Sequence, residues 1–403
     1  MDQFCQNIKN NKREICLYLI LFLIFLNPMS VTFYSERVSL GYLHVFFPFI
    51  VFFFLKKNLI LNDKTIFILF FYLIIFIGGF IFNINEYSSF ILLRSVASFL
   101  IFISVFSISF IYLEKNMIIS FKISLVIWSI YKILLTLSIL LPIFISNDLS
   151  LFHKAKFLGT PRFGLIYIAA FWIIFFNIKS TKINILVLKI ILLIIILIGI
   201  YLTYSRGTYF SFFLTCSFFT IVIFLKFIRS LKKDFNFLLK ILIGIFIIFI
   251  FYLYQINVFD HLINEFNIIF LKDPTRFDPT NIYESFGYRI NEWRKILIHT
   301  FENIYFGSGY LGNWILDKNF SSTPHSYFFD VMFRTGLFGF ILFIVILSKL
   351  FCYLYKNYLD LFYGFLAAIV MSNFHDVFKI APNAFFLSFL ISLWINNIKQ
   401  KQI

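Results

Sequence analysis

The sequence predicts an all-α membrane protein of about twelve transmembrane helices, with one long helical loop outside the membrane. Of its 403 residues, 61% are hydrophobic and only 13% are charged, whereas soluble domains carry about 25% charged residues. Apolar runs of roughly 20 residues, the length that crosses the hydrocarbon core as a helix, recur along the whole chain. A long polar interruption, residues 257–324, lies in the second half.

Each predicted span ends where charged or turn-forming residues interrupt the apolar run. The predicted spans are residues 15–34, 38–55, 65–82, 90–113, 117–145, 161–177, 183–203, 207–228, 238–256, 326–354, 358–374 and 381–396. The chain then divides into spans one to nine (1–256), the long loop (257–324) and spans ten to twelve (325–403).

The net charge of +16 would suggest nucleic acid in a soluble protein. Here, most Lys and Arg residues of the short loops fall on the side that also holds both termini. Because positively charged loops stay in the cytoplasm, both termini are expected there and the long loop outside. The positive charge therefore indicates topology, and no nucleic-acid partner is expected.

The sequence contains no motif that is typical of metal or nucleotide chemistry. The four cysteines, Cys5, Cys16, Cys216 and Cys352, are spaced as neither a zinc site nor a disulfide framework. No phosphate-binding glycine loop, HExxH or paired acidic motif occurs. We expect no metal and no cofactor.

The first candidate is Arg206, in the tight turn Thr203-Tyr204-Ser205-Arg206-Gly207-Thr208 between spans seven and eight. A guanidinium group offers a planar fork of donors that matches phosphate oxygens and keeps its charge at any relevant pH. The alternative is an interfacial arginine that reaches into water. The tight turn leaves little room for a merely solvated side chain, which favours phosphate binding.

The second candidate is Arg289, within an amphipathic segment of the long loop. The spacing predicts a helix that lies on the bilayer with one apolar stripe, formed by Phe286, Ile290, Trp293, Leu297 and Phe301. Arg289, Glu292, Lys295 and His299 fall on or beside the other face. Arg289 could bind the same anion as Arg206, but a surface ion pair with Glu292 explains it equally well.

The third candidate is His325, in Ser322-Thr323-Pro324-His325-Ser326-Tyr327 at the start of span ten. Imidazole titrates near neutrality and can accept a proton from a sugar hydroxyl. The alternative, a histidine bonded to backbone at the start of a helix, is slightly favoured by position alone.

Four more residues form a candidate substrate-binding set: Arg37, Arg162, Arg334 and Asp376. Arg334 stands four residues after Asp330, so the two can neutralise one another within the membrane, which favours a structural role. The other three lie near span ends, where most charges reflect topology. Ser308, in Gly307-Ser308-Gly309, is rejected as a protease nucleophile because it is expected in a polar loop without a partner histidine.

Together these stretches resemble the O-antigen polymerase and O-antigen ligase superfamily over about residues 190 to 345. The similar motifs are Ser205-Arg206-Gly207, Gly287-Tyr288-Arg289, Pro324-His325-Ser326 and Thr335-Gly336-Leu337-Phe338-Gly339, in this order around one long outer loop. The first six spans resemble the family only in topology. Ser326 stands where the family often has asparagine.

The resemblance implies an inverting, metal-independent glycosyltransferase of the bacterial inner membrane. Its donor would be an undecaprenyl-diphosphate-linked glycan, with Arg206 and Arg289 on the diphosphate and His325 as base. The acceptor sugar would sit on the carrier lipid for a polymerase or on lipid A core for a ligase. Membrane lipids and a chain-length regulator protein are further expected partners.

We expect a polymerase, because the Phe, Ile, Asn and Lys usage suggests an AT-rich gene, as in clusters for variable surface sugars. A ligase is the alternative within the family. A lipid or polysaccharide transporter is the alternative of another class, disfavoured because neither an internal repeat nor an acid relay is present.

Overall fold

The computed structural model describes eleven stretches and a few single helical positions between residues 92 and 106. The stretches are 30–33, 36–39, 63–83, 85–87, 115–145, 163–177, 183–203, 205–230, 282–316, 325–373 and 381–400. Residues 40–55 of the second predicted span and the whole predicted span 238–256 lie outside them, as do residues 15–29 of the first span.

Nine α-helices occupy most of the described residues. They are α1 Asp63–Asn83, α2 Lys115–Ile145, α3 Gly164–Phe176, α4 Ile183–Tyr201, α5 Arg206–Ser230, α6 Ile282–Glu302, α7 Tyr327–Asn357, α8 Leu359–Met371 and α9 Ala381–Gln400. A short 3-10 helix, Asn313–Ile315, follows α6.

Within the described residues, five helices are long and apolar enough to cross a membrane: Asp63–Asn83, Met117–Ser138, Ile183–Tyr201, Gly207–Leu225 and Tyr327–Asn357. Three shorter apolar helices accompany them: Gly164–Phe176, Leu359–Met371 and Asn383–Ile395. This composition confirms an integral membrane protein. The count of twelve spans stays a prediction.

A β-hairpin stands where the first predicted span should end. Strand β1, Ser30–Phe33, pairs antiparallel with β2, Glu36–Ser39, and Thr32 lies opposite Arg37. The prediction of a span that continues as a helix to residue 34 is therefore wrong at this end. The segment Ser30-Val31-Thr32-Phe33 is rich in β-branched and aromatic residues, which favour extended backbone.

The helices α3 and α8 are shorter than their predicted spans and pack against each other. Each has 13 residues, about 20 Å at 1.5 Å per residue, less than the roughly 30 Å hydrocarbon core. A Cβ atom added to Gly364 would lie 2.9 Å from the Ala169 Cβ, and Trp172 stacks on Tyr363 with ring centroids 4.5 Å apart. Because nearly all of α3 is buried, neighbouring helices rather than lipid surround it.

Helix α7 is broken at Gly336, whose φ of 67° and ψ of −176° interrupt the helical geometry. The turn after α6 fills this break. The Ser308 N–H donates to the Phe333 carbonyl at 2.7 Å, and the Leu337 N–H donates to the Ile304 carbonyl at 2.9 Å. Backbone groups freed by the break are thus satisfied within the protein, as membrane depth requires.

Two compact units make up the chain: residues 1–212 with 299–403, and residues 213–298. The first unit holds α1 to α4, the start of α5, the end of α6 and α7 to α9, and the second holds the rest of α5 and most of α6.

Candidate active site

Several sequence-predicted positions of the first unit meet at one end of its helices. The Tyr327 N–H at the start of α7 donates to the Ser372 carbonyl just after α8, at 2.8 Å. Ala169 of α3 lies beside Gly364 of α8, whereas Phe176 at the end of α3 stacks on Tyr363 nearer the start of α8. The two helices therefore run in opposite directions, and α3 begins at the end where α8 stops. A Cβ atom added to Gly164, the first residue of α3, would lie 2.2 Å from the Thr208 hydroxyl in the first turn of α5. We call this region, where α3, α5 and α7 begin, the His325 end.

His325 occupies a strained backbone position immediately before α7. Its φ is 53°, in the left-handed region that costs a non-glycine residue about 1–3 kcal/mol and persists only where its surroundings fix it. The next residue, Ser326, is buried and extended, and its Oγ donates to the Ser372 carbonyl at 3.4 Å. The His325 side chain is half-buried. The end of α8 therefore fixes the position of the histidine.

Arg206 begins helix α5. The Thr208 N–H donates to the Ser205 Oγ at 3.3 Å, the bond that a capping serine makes at a helix start. Arg206 is thus in the first turn, where the helix dipole and the exposed N–H groups favour an anion. The Arg206 side chain is outside the part of the chain that the structure describes.

Arg334 is engaged in structural contacts, as its spacing from Asp330 predicts. Its Nε lies 3.0 Å from both Asp330 carboxylate oxygens, and its Nη1 donates to the Tyr310 carbonyl at 2.7 Å. The Tyr310 N–H returns a bond to the Arg334 carbonyl at 3.2 Å. The predicted ion pair is confirmed, and it joins the turn after α6 to the broken helix α7. Its role as a substrate contact stays a prediction.

In α6, part of the predicted apolar stripe is exposed, whereas one residue of the predicted polar face is buried. The predicted apolar stripe is exposed near the C-terminal end of the helix, with Phe301 64% and Leu297 37% accessible. Glu292 is fully buried and Arg289 is half-buried. An exposed apolar stripe suits a helix that faces lipid. Glu292 is thus not on an exposed surface, and both readings of Arg289, an anion contact and an ion pair with Glu292, stay open.

The turn Gly307-Ser308-Gly309 is buried, which corrects the expectation of an exposed polar loop. Its glycines allow close contact: a Cβ atom on Gly309 would lie 2.7 Å from the Gly79 carbonyl carbon of α1. The Ser308 Oγ donates to the Leu311 carbonyl at 2.9 Å, and the Asn83 amide donates to the Ser308 carbonyl at 3.1 Å. The physical reason is the break in α7, which the turn has to fill. Its hydroxyl bond supports the earlier rejection of Ser308 as a nucleophile.

Tyr310, which the sequence did not single out, fixes this turn in an aromatic cluster. Its ring centroid is 5.1 Å from that of Phe99, 6.0 Å from that of Phe102 and 6.2 Å from that of Phe76. Burial raises the pKa of the Tyr310 phenol well above its ordinary value. Burial therefore favours the protonated form of this phenol.

Part of the chain matches a known protein family. Residues 190–344 match the model of the O-antigen ligase family. These residues belong to the O-antigen polymerase and ligase superfamily. No curated protein and no solved structure matches the chain.

The superfamily segment includes the residues predicted to carry the chemistry. It starts within α4 and ends within α7, so it covers Arg206, Arg289, His325 and Arg334. The match begins and ends close to the stretch of about 190 to 345 that the motifs indicate. Members of this family are glycosyltransferase-like enzymes.

The remaining predicted residues lie outside the O-antigen ligase segment. Arg37 is in β2, opposite Thr32, and its side chain is not among the described atoms. Arg162 precedes the first described residue of α3, and Asp376 follows Asn373, so both lie outside the described residues. Their roles stay predictions.

Metal binding has no visible support in the described part of the chain. There, no group of three or more His, Cys, Asp or Glu residues could hold a metal ion.

Lys132, within α2, is a residue at the His325 end that sequence reasoning missed. Its Nζ lies 5.4 Å from the centroid of the Phe163 ring, immediately before α3. The available signal was a charged residue inside an otherwise apolar span, which by itself marks a candidate functional position.

Proposed function

We propose that the protein is an O-antigen polymerase, which transfers undecaprenyl-diphosphate-linked glycan repeat units onto a sugar hydroxyl at the periplasmic face of the inner membrane. The observation that carries the proposal is His325, held in a strained conformation at the end of the molecule where α5 begins with Arg206. Both residues lie within the segment that matches the O-antigen ligase family.

The proposed reaction is a single displacement. The acceptor hydroxyl oxygen forms a bond to the anomeric carbon of the donor while the bond from that carbon to the diphosphate oxygen breaks. The diphosphate lipid leaves with the electron pair, and His325 takes the hydroxyl proton. Attack from the opposite side inverts the anomeric configuration. A positioned base of this kind typically contributes about 10²- to 10⁴-fold in rate.

The leaving group needs positive charge more than it needs an acid. A lipid diphosphate is already a good leaving group, and fixed cations stabilise the charge that develops on it. Arg206 suits this role because it stands in the first turn of α5, where helix N–H groups also favour an anion. Arg289 is the second arginine that the family resemblance implies for this role.

We infer that the His325 end faces the periplasm, with both termini in the cytoplasm and residues 257–324 outside. The distribution of Lys and Arg in the short loops supports this orientation. A reporter fused near Asn281 in the long loop tests it. A periplasmic signal is expected, and a cytoplasmic signal would overturn both the orientation and the site.

An O-antigen ligase is the second candidate, favoured by the description of the matching family. The two activities share donor and proposed chemistry and differ in acceptor: the growing lipid-linked glycan or the lipid A core. A chain-length regulator protein would be a partner of the polymerase. A lipid or polysaccharide transporter, the candidate of another class, has no comparable support.

Deletion of the gene, followed by a gel of the cell's lipopolysaccharide, separates the candidates. Loss of a polymerase leaves core that bears one repeat unit. Loss of a ligase leaves bare core while long glycan accumulates on the carrier lipid. Loss of a transporter leaves precursor on the inner face. A plasmid copy of the wild-type gene is the control and should restore the full ladder. A full ladder in the deletion strain would contradict all three.

A further inference from the structure

Lys132 is a lysine within the apolar stretch of α2, and its charge lacks a carboxylate partner among the described residues. It belongs to the candidate membrane span Met117–Ser138 and is half-buried. Its Nζ contacts the face of the Phe163 ring at 5.4 Å. The aromatic ring orients the ammonium group but leaves its positive charge uncompensated. An ionisable residue at such a position is by default a candidate for function.

The neighbouring packing places Lys132 at the depth of the Arg206 turn. A Cβ atom added to Gly199 would lie 2.3 Å from the Cδ1 of Ile133, the residue after Lys132. Gly199 is two residues before the end of α4 at Tyr201, and α5 starts at Arg206 after a short turn. Lys132 and the turn therefore lie at the same level of the first unit.

Two helix starts meet beside this lysine. Phe163 gives α3 no side-chain cap, so its side chain satisfies none of the N–H groups that a helix start leaves open. The start of α3 is in contact with the first turn of α5 through Gly164 and Thr208. The Thr208 hydroxyl is fully buried, and it has no hydrogen-bond partner in the described part of the chain. Helix N-termini, a buried hydroxyl and an ammonium group all suit an anion.

We propose that Lys132 binds a phosphate of the donor's diphosphate, beside Arg206, as a further cation of the site. This inference rests on the proposed function. An ammonium group is a compact point charge with three hydrogen-bond donors, whereas a guanidinium group is a planar fork of donors. A diphosphate has two phosphates, so the two side chains can each bind one of them. Thr208 can donate its hydroxyl hydrogen to the same anion.

Equilibrium binding of farnesyl diphosphate tests the proposal without requiring turnover. The full-length protein is purified into phosphatidylcholine nanodiscs, and wild type is compared with Lys132→Met, Lys132→Gln and Lys132→Arg. Loss of a hydrogen bond to a charged group should weaken binding about tenfold or more in the first two variants. Lys132→Arg should stay within a few fold of wild type because the charge is kept. Thermal unfolding identifies any variant that fails to fold, and the Gln variant provides a second neutral side chain.

The matched control is the double variant Lys122→Met, Asp360→Asn, which removes a cation from the same helix together with its carboxylate partner. It should bind farnesyl diphosphate as wild type does. Equal weakening by this control would mean that binding responds to any disturbance of α2 rather than to Lys132, and would overturn the proposal. So would wild-type binding by folded Lys132→Met and Lys132→Gln.

A second arm separates donor diphosphate from ordinary lipid headgroups. Phosphatidylglycerol added to the nanodiscs should leave farnesyl diphosphate binding by wild type nearly unchanged. Strong competition that Lys132→Met relieves would assign Lys132 to membrane phospholipid and overturn the donor assignment. If wild-type protein binds no farnesyl diphosphate, the proposed function and this inference fail together. If wild type binds and the neutral variants bind equally, only the inference about Lys132 fails.

Discussion

Two of the lysines of helix α2, Lys122 and Lys132, have different charge environments at the two ends of the first unit. Lys122 and Lys132 are ten residues apart, about 15 Å along the helix. Each ammonium group lies 5.4 Å from an aromatic centroid, that of Tyr358 for Lys122 and that of Phe163 for Lys132. Lys122 also lies 2.6 Å from an Asp360 carboxylate oxygen. Lys132 has no such carboxylate within the described residues.

This difference separates charges that hold the helices together from charges available to a ligand. The Lys122–Asp360 pair joins α2 to the start of α8, away from His325. At the His325 end, Arg334 is also paired, with Asp330, and it fixes the backbone of Tyr310. Lys132 at the same end has no carboxylate partner there. Pairing therefore indicates a structural role, and its absence at this end indicates where an anionic substrate would bind.

Replacement of His325 should give the largest effect on activity. We expect His325→Ala to bind the lipid-linked donor as wild type does but to transfer glycan about 10²- to 10⁴-fold more slowly, because the base is lost. The rate is measured with purified protein and lipid-linked donor. His299→Ala, another histidine of the first unit, is the control and should keep the rate. A wild-type rate for His325→Ala would return this residue to the role of a histidine at the start of a helix.

Conservative replacement of the two arginines should give a smaller effect. Lysine keeps the charge of Arg206 or Arg289 but lacks the planar fork that contacts phosphate through two donors. We expect Arg206→Lys and Arg289→Lys to lower kcat/KM for glycan transfer about 10- to 100-fold at normal protein level. Arg294, exposed on α6, provides the control, and Arg294→Lys should be neutral. Near-normal transfer by either test variant would remove that arginine from the diphosphate site.

Long apolar runs were the part of the fold that the sequence predicted well. Five of the long helices begin within two residues of the start of the corresponding predicted span: α1, α2, α4, α5 and α7. The break at Gly336 was not predicted, because it depends on contact with Ile304 and Ser308, which are distant in sequence. The hairpin at residues 30–39 was missed because the hydropathy of an apolar run does not determine whether its backbone is helical or extended.

The candidate site was predictable in its residue types and not in its spatial arrangement. His325 was recognisable from its place before an apolar span, but its positive φ depends on the contacts that Ser326 and Tyr327 make with α8. The stripe of α6 was identified from its spacing, whereas the burial of Glu292 depends on tertiary packing. Hydrophobic periodicity did not single out Lys132, because the feature that matters is the absence of a carboxylate partner within the described residues.

Stability should distinguish Lys122 from Lys132 in α2. Lys122→Met leaves Asp360 without its partner, and we expect a loss of about 1–3 kcal/mol in the free energy of unfolding. This is less than the 3–5 kcal/mol of a fully buried pair, because solvent reaches both side chains. Lys132→Met should leave stability unchanged or higher. Unfolding of both purified variants provides the measurement, and an equal loss at Lys132 would contradict the comparison of the two ends.

The smallest expected effect is a pH dependence of stability from His299. Burial lowers the pKa of His299 below its ordinary value of 6.5. The neutral form is therefore favoured in the folded state, and its contribution to stability is complete above pH 6.5 and is lost as the pH falls through the folded-state pKa. The unfolding free energies of wild type and His299→Gln are compared from pH 7 to pH 5. As the pH falls, wild type should lose stability relative to His299→Gln. A constant difference would contradict the assigned burial effect.

Direct observation of bond formation tests the central claim most directly. The purified full-length protein, in a lipid bilayer with undecaprenyl-diphosphate-linked repeat units and EDTA, is followed for elongated glycan and for released undecaprenyl diphosphate. The account predicts longer chains on the carrier lipid, inverted anomeric linkage and one diphosphate lipid released for each new glycosidic bond. Donor that is bound or moved across the bilayer without any glycosidic bond being formed would contradict it.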